Sequence, residues 1–122
     1  MTPRSRPIFF APAVSLFEEC VWRPAVDVLR CPQGWLIKAE LPGVRVDQVR
    51  VALRGNSVVL SGVRRDTYHE EGESYYKMEI SYCRFERRIE LPCPVEDAEV
   101  RLSTDNGLLF LRLVSGTPER LP

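Results

Sequence analysis

The sequence predicts an all-β protein built as an antiparallel sandwich. Three observations lead there. Apolar residues alternate with polar ones in several short stretches, the period of a strand with one buried face. Turn dipeptides separate these stretches, Gly55-Asn56 and Asn106-Gly107 above all. No amphipathic helix longer than about two turns can be drawn on the chain. Roughly seven to nine short strands joined by turns suit a sandwich, and hairpin connections make it antiparallel.

Residues 1–21 carry Pro3, Pro7 and Pro12 among Ile8, Phe9, Phe10, Val14, Leu16 and Phe17. The prolines exclude a long helix or a central strand. The segment is also too apolar for an inert tail, and it reads either as an arm docked on the core or as a sticky arm that contacts other chains. It imitates a signal peptide, but Pro12 interrupts the apolar run, Glu18 and Glu19 follow it, and no small-residue cleavage site is evident.

Trp22 to Val28 reads as a short strand whose Pro24 suits a sheet edge. Gln33-Gly34 is a turn. Trp35, Ile37, Ala39 and Leu41 then alternate with Leu36, Lys38 and Glu40, and Pro42-Gly43 ends that strand. Val49, Val51 and Leu53 alternate with Arg50, Ala52 and Arg54. Gly55-Asn56 turns the chain, and Val58 to Val63 returns. A polar loop runs from Arg64 to Ser74.

The stretch from Ser74 to Pro92 changes phase midway. Tyr76, Met78, Ile80 and Tyr82 put the apolar side chains on even positions; Cys83, Phe85, Ile89 and Leu91 put them on odd ones. A slip of one residue sends every side chain of a strand to the opposite face. Two strands, breaking near Tyr82–Cys83, therefore bury different surfaces. Arg87 falls on the odd, apolar face. A buried charge without a partner costs several kcal/mol, so Arg87 is expected to meet a carboxylate or backbone carbonyls in a structural role. Beyond Pro92-Cys93-Pro94, Val95 to Ala98 is a connection, and Val100 and Leu102 mark a short strand. Asp105-Asn106-Gly107 makes a hairpin, and Leu109, Leu111 and Leu113 form the last strand before a polar tail, 115–122.

The 122 residues suffice for one domain, and 44% hydrophobic with 28% charged content is ordinary for a soluble fold. A net charge of +0 argues against nucleic acid or an anionic membrane held by bulk electrostatics. No run is long enough to span a membrane. Cys20, Cys31, Cys83 and Cys93 lack Cys-x-x-Cys spacing, which excludes the usual zinc sites; their number allows disulfides, but reduced thiols in a cytoplasmic protein are the favoured reading. His69, the only histidine, sits among Glu70, Glu71 and Glu73 without a second nitrogen or sulfur ligand, so no metal is expected. The serines form no nucleophile elbow, and no glycine loop cradles a phosphate. No catalytic residue, cofactor or enzyme activity is expected.

Phe85-Glu86-Arg87-Arg88-Ile89-Glu90-Leu91-Pro92 resembles the Phe-x-Arg-x-Phe-x-Leu-Pro signature of the small heat-shock proteins, the α-crystallin domain family. Trp22 to Val28 resembles that family's Pro-x-Val-Asp-Val segment, and Glu40 to Val44 its Leu-Pro-Gly block. Glu79 and Tyr82 sit where bacterial and plant members carry Glu-Arg-Ser-Tyr/Phe-Gly. Asn106-Gly107-Leu108-Leu109 resembles the Asn-Gly-x-Leu block. The resemblance covers residues 22–114, with 1–21 as arm and 115–122 as tail.

The resemblance implies an immunoglobulin-like sandwich with a strand-swapping loop. It implies an ATP-independent chaperone, a holdase that captures partly unfolded proteins and prevents their aggregation. It implies a homodimer in which Tyr75, Tyr76, Met78, Ile80 and Tyr82 pair with Trp22, Pro24, Val26 and Val28 of a second copy. It implies a hydrophobic groove at Val49, Val51, Leu53, Val100 and Leu102. Ile8, Phe9, Phe10, Leu16 and Phe17 would contact clients or other subunits. The tail lacks the family's Ile-x-Ile/Val motif, which favours a dimer or small oligomer over a large cage. Two other readings compete: an adaptor sandwich that binds one folded partner, and a small metal- or thiol-dependent enzyme.

Overall fold

The computed structural model describes residues 21–68 and 70–115. The apolar arm residues Ile8, Phe9, Phe10, Leu16 and Phe17, together with His69 and tail residues 116–122, lie outside the described residues. The chain runs β1 (Val21–Trp22), β2 (Val26–Cys31), β3 (Gly34–Glu40), a 3-10 turn (Val46–Gln48), β4 (Val49–Arg54), β5 (Ser57–Val63), β6 (Arg84–Glu90), β7 (Glu99–Asp105) and β8 (Leu108–Val114). Two four-stranded sheets result, in the orders β1-β6-β5-β4 and β2-β3-β8-β7. All pairings are antiparallel except β1 with β6, which run parallel.

The core lies between the sheets and follows the alternation in the sequence. Ile37 and Ala39 on β3, Val58 and Leu60 on β5, Phe85 on β6, and Leu109, Leu111 and Leu113 on β8 are all buried. Burying one such aliphatic or aromatic side chain contributes about 1.5–3 kcal/mol. The odd-position face of β6 is inward: Phe85 and Ile89 are buried, as are the flanking Cys83 and Leu91.

Turn chemistry fixes the register of two hairpins. Asn106 and Gly107 both take positive φ, 53° and 82°, and join Asp105 to Leu108. That is the pattern of a type I′ turn, whose twist matches the strands it connects. Gly55 supplies φ 58° at the head of the loop between Arg54 and Ser57. On β5, Gly62 falls on the core-facing alternation, where a Cβ would come 2.5 Å from the Gln48 carbonyl oxygen and 2.5 Å from the Phe85 ring. Its lack of a side chain lets Phe85 seat.

Three expectations are corrected. Trp22 to Val28 is not one strand. Pro24 has no N–H to donate to a ladder, and the chain leaves β1 in one sheet there and enters β2 in the other. The turn before β3 is Pro32-Gln33, because Gly34 already pairs with Cys31. Tyr75 to Tyr82, expected to pair with a second copy, lies in the loop between β5 and β6, which pair directly with each other. Cys83 is disulfide-bonded rather than reduced, while Cys31 and Cys93 are free thiols.

Candidate interaction surfaces

The loop between β5 and β6 is held at its base by Arg64. Its Nε donates to the Ser81 carbonyl at 2.9 Å and its Nη1 to the Pro42 carbonyl at 3.2 Å. Its backbone N–H donates to the Cys83 carbonyl at 3.1 Å. The guanidinium also lies 3.9 Å from the centroid of the Trp22 ring, a cation–π contact worth about 0.5–2 kcal/mol according to its desolvation. Trp22 in turn meets Phe85 edge to face, with centroids 6.1 Å apart. One side chain thus ties together both ends of the loop, β1 and the end of β3. The sequence shows Arg64 only as part of a basic pair. Its partners are backbone carbonyls and a ring far away in the chain, so no local pattern marks it.

Away from that base the loop presents apolar side chains to solvent. Tyr75, Tyr76, Met78 and Ile80 are exposed at 48%, 102%, 57% and 61%, while Tyr82, nearer the base, is half-buried. Lys77 and Glu79 form an ion pair at 3.3 Å. Tyr76, Met78 and Ile80 alternate with this pair along the chain, and the backbone bends at Tyr76 and Ile80.

The second surface is the β2 edge. Among the described residues β2 pairs with β3 alone. Val28 and Leu29 on it are exposed, and Val26 is half-buried. An unpaired strand edge is a template for pairing with another chain. Trp22 and Pro24 stand differently: Trp22 packs on Phe85 and Arg64, and Pro24 is fully buried. Arg87 reaches this junction from β6. Its Nη1 donates to the Pro24 carbonyl at 2.9 Å, and its Nε is buried without a hydrogen-bond partner among the described residues.

β4 and β7 are edge strands of the two sheets. Val49, Val51 and Leu53 on β4 and Leu102 on β7 are partly buried and pack against the core. Val100 is exposed. These five residues form two apolar rows on strands from opposite sheets.

Ionic contacts lie on the outer surface. Glu90 accepts hydrogen bonds through Oε2 from Ser57 Oγ at 2.6 Å and from Arg88 Nε at 2.9 Å. Ser57 Oγ also accepts one from Arg88 Nη2 at 3.1 Å. The Ser57 bond first, and Arg88 second, hold the Glu90 carboxyl below its ordinary range. Among the described residues no three His, Cys, Asp or Glu side chains gather as a metal site. No helix among them is long and apolar enough to cross a membrane.

Residues 27–121 match the model of the Hsp20/alpha crystallin family. Spore protein SP21 of Stigmatella aurantiaca is 38% identical over 90 residues, which cover 74% of this chain and 53% of that protein. The 17.6 kDa class I heat shock protein 3 of Arabidopsis thaliana is 34% identical over 98 residues, covering 80% of this chain and 62% of the relative. The chain thus spans less than two thirds of the length of either relative. The crystal structure of hspA from Xanthomonas axonopodis superimposes with a TM-score of 0.60 at 26% identity, over 78% of this chain and 95% of that one. The sandwich, the matched segment and these relatives agree: the chain belongs to the Hsp20/alpha crystallin family.

Proposed function

We propose that this protein is an ATP-independent chaperone, a holdase that captures partly unfolded proteins through apolar surface and keeps them from aggregating. It works without catalysis, in the cytoplasm. The observation that carries this reading is a loop with Tyr76, Met78 and Ile80 exposed, in a fold whose β2 edge is unpaired among the described residues. Contiguous exposed apolar side chains mark interaction sites. Membership of the heat-shock family supports the same reading.

The working unit is a homodimer or small oligomer. Tyr75 to Tyr82 of one copy adds as a strand to the free edge of a second copy, at Val26 to Cys31. Main-chain hydrogen bonds hold such an added strand, and alternate side chains give it register. Trp22 and Pro24 precede that acceptor edge in the chain, Trp22 half-buried against Phe85 and Pro24 fully buried. The rows Val49, Val51, Leu53, Val100 and Leu102, with the apolar arm at Ile8, Phe9, Phe10, Leu16 and Phe17, supply further weak contacts. Several weak contacts presented together hold a client reversibly.

Light scattering of a heat-unfolding client without ATP tests the function. The expected result is suppression of scattering at equimolar subunit. Unchanged scattering at a severalfold excess would contradict it.

A further inference from the structure

The outer face of the β1-β6-β5-β4 sheet carries a hollow of about 420 Å3. Arg50 on β4, Arg84 on β6 and Arg65 just beyond β5 line it, with Gln48, Ser61 and Glu86. The strand register gathers these residues. Arg50 lies opposite Ser61 and Ser61 opposite Glu86, while Arg84 lies opposite Val63. The alternation that turns Phe85 and Ile89 into the core turns Arg84 and Glu86 out. The three arginines are exposed, whereas Gln48 and Ser61 are half-buried and lie deeper.

None of the three guanidinium groups makes an ion pair among the described residues. Other arginines on the strands behave differently. Arg88 pairs with Glu90 at 2.9 Å and Arg101 with Glu99 at 3.0 Å, each with its partner two positions away on the same strand. Arg84 and Glu86 have that same spacing on β6 and make no ion pair. Like charges around one hollow repel one another, and a bound anion relieves the repulsion. The chain as a whole has a net charge of +0, so the attraction is local to this hollow.

We propose that this hollow binds a short chain of linked phosphates. A guanidinium is planar, stays charged, and presents a fork of donors that matches phosphate oxygens in pairs. Three of them around one hollow suit several linked phosphoryl groups better than a single one. The deeper residues add neutral donors. The Gln48 side-chain oxygen accepts the Arg45 backbone N–H at 2.9 Å, which leaves its amide nitrogen to donate. Ser61 supplies a hydroxyl. Glu86 is the one carboxylate among the lining residues and opposes an anion there. Phe85, the one aromatic residue among them, is 1% exposed, so a nucleotide base has no ring to stack on and the phosphates alone are read. The hollow lies apart from Tyr75 to Tyr82 and from the β2 edge, and the proposal does not rest on the holdase reading.

Isothermal titration calorimetry of the full chain with sodium tripolyphosphate at low salt tests this. The expected result is saturable binding at a single site per chain that weakens as salt is raised. Arg50→Gln/Arg84→Gln should weaken it at least about tenfold through the lost charge-assisted hydrogen bonds. Arg101→Gln/Arg112→Gln removes the same charge from the other sheet and should leave the affinity unchanged. Glu86→Gln should tighten binding about fivefold, the size of one close like-charge repulsion in water, a gain that a misfolded variant does not give. Inorganic monophosphate should bind far more weakly than tripolyphosphate, and adenosine triphosphate no more tightly. No saturable binding, an equal loss in the two double variants, or an unchanged affinity in Glu86→Gln would overturn the site. Tighter binding of adenosine triphosphate than of tripolyphosphate would overturn it as well, because a base would then be read.

Discussion

Arg87 on β6 and Pro24 between β1 and β2 are joined by a hydrogen bond of 2.9 Å from Nη1 to the proline carbonyl, across 63 positions of sequence. Pro24 is where the chain passes from one sheet to the other. A cation placed on an apolar strand face thus fixes the crossover and the start of the β2 edge. A carbonyl buried at such a crossover needs a donor, and no ladder partner is at hand to supply one.

Arg87→Ala is therefore expected to cost about 1.5–3 kcal/mol, the range for a hydrogen bond to a charged group. Arg84→Ala, on the exposed face of the same strand, should stay within about 0.5 kcal/mol. Denaturant midpoints at equal slope measure both. Equal, small effects would remove the structural role given to Arg87.

Gly62→Ala should destabilise the sandwich by about 1–3 kcal/mol, the usual cost of overpacking. The added methyl meets the Gln48 carbonyl and the Phe85 ring at 2.5 Å each. Ser61→Ala, one residue away on the other face, is the reference and should be near neutral. Thermal melts of the two variants suffice.

Arg64→Ala should loosen two distant places at once. Amide exchange should quicken at Val21–Trp22, which lose the stacked guanidinium, and at Ser81–Cys83, which lose its hydrogen bond. Exchange in β3 and β8 should not change, because neither depends on that side chain for its ladder. Acceleration confined to one of the two places would show that Arg64 does not couple them.

The hairpins and the inward face of β6 were legible in the sequence because their causes are local. Asn106-Gly107 carries the positive φ its turn requires, and Phe85, Ile89 and Leu91 keep the period of two. The parallel β1, the hub at Arg64 and the oxidised Cys83 were not. Each depends on residues brought together from far apart in the chain, and a short strand such as Val21–Trp22 carries too few residues to show a period. The signature arginine was visible as a misfit, while the identity of its partner, a proline carbonyl, left no trace in residue type.

Stability should fall on the acid side, with Glu90 contributing. Its carboxyl is held below the ordinary carboxylate range by Ser57 and Arg88. A carboxyl lowered by folding adds stability above its unfolded value, and that stability is lost as pH falls through the folded value. Ser57→Ala should raise the Glu90 titration midpoint followed by NMR, and Glu90→Gln should flatten the acid limb of the stability profile. An unchanged Glu90 midpoint in Ser57→Ala would show that the hydrogen bond does not set it.

The account turns on the loop segment that finds no partner strand among the described residues. Absolute mass by light scattering at micromolar concentration, for the wild type and for Tyr76→Lys/Met78→Lys/Ile80→Lys, tests this most directly. The expected result is a dimer or larger for the wild type, and a single folded chain, with an unchanged β-sheet circular dichroism spectrum, for the triple variant. A wild type with the mass of one chain, or a triple variant that assembles as the wild type does, would contradict it.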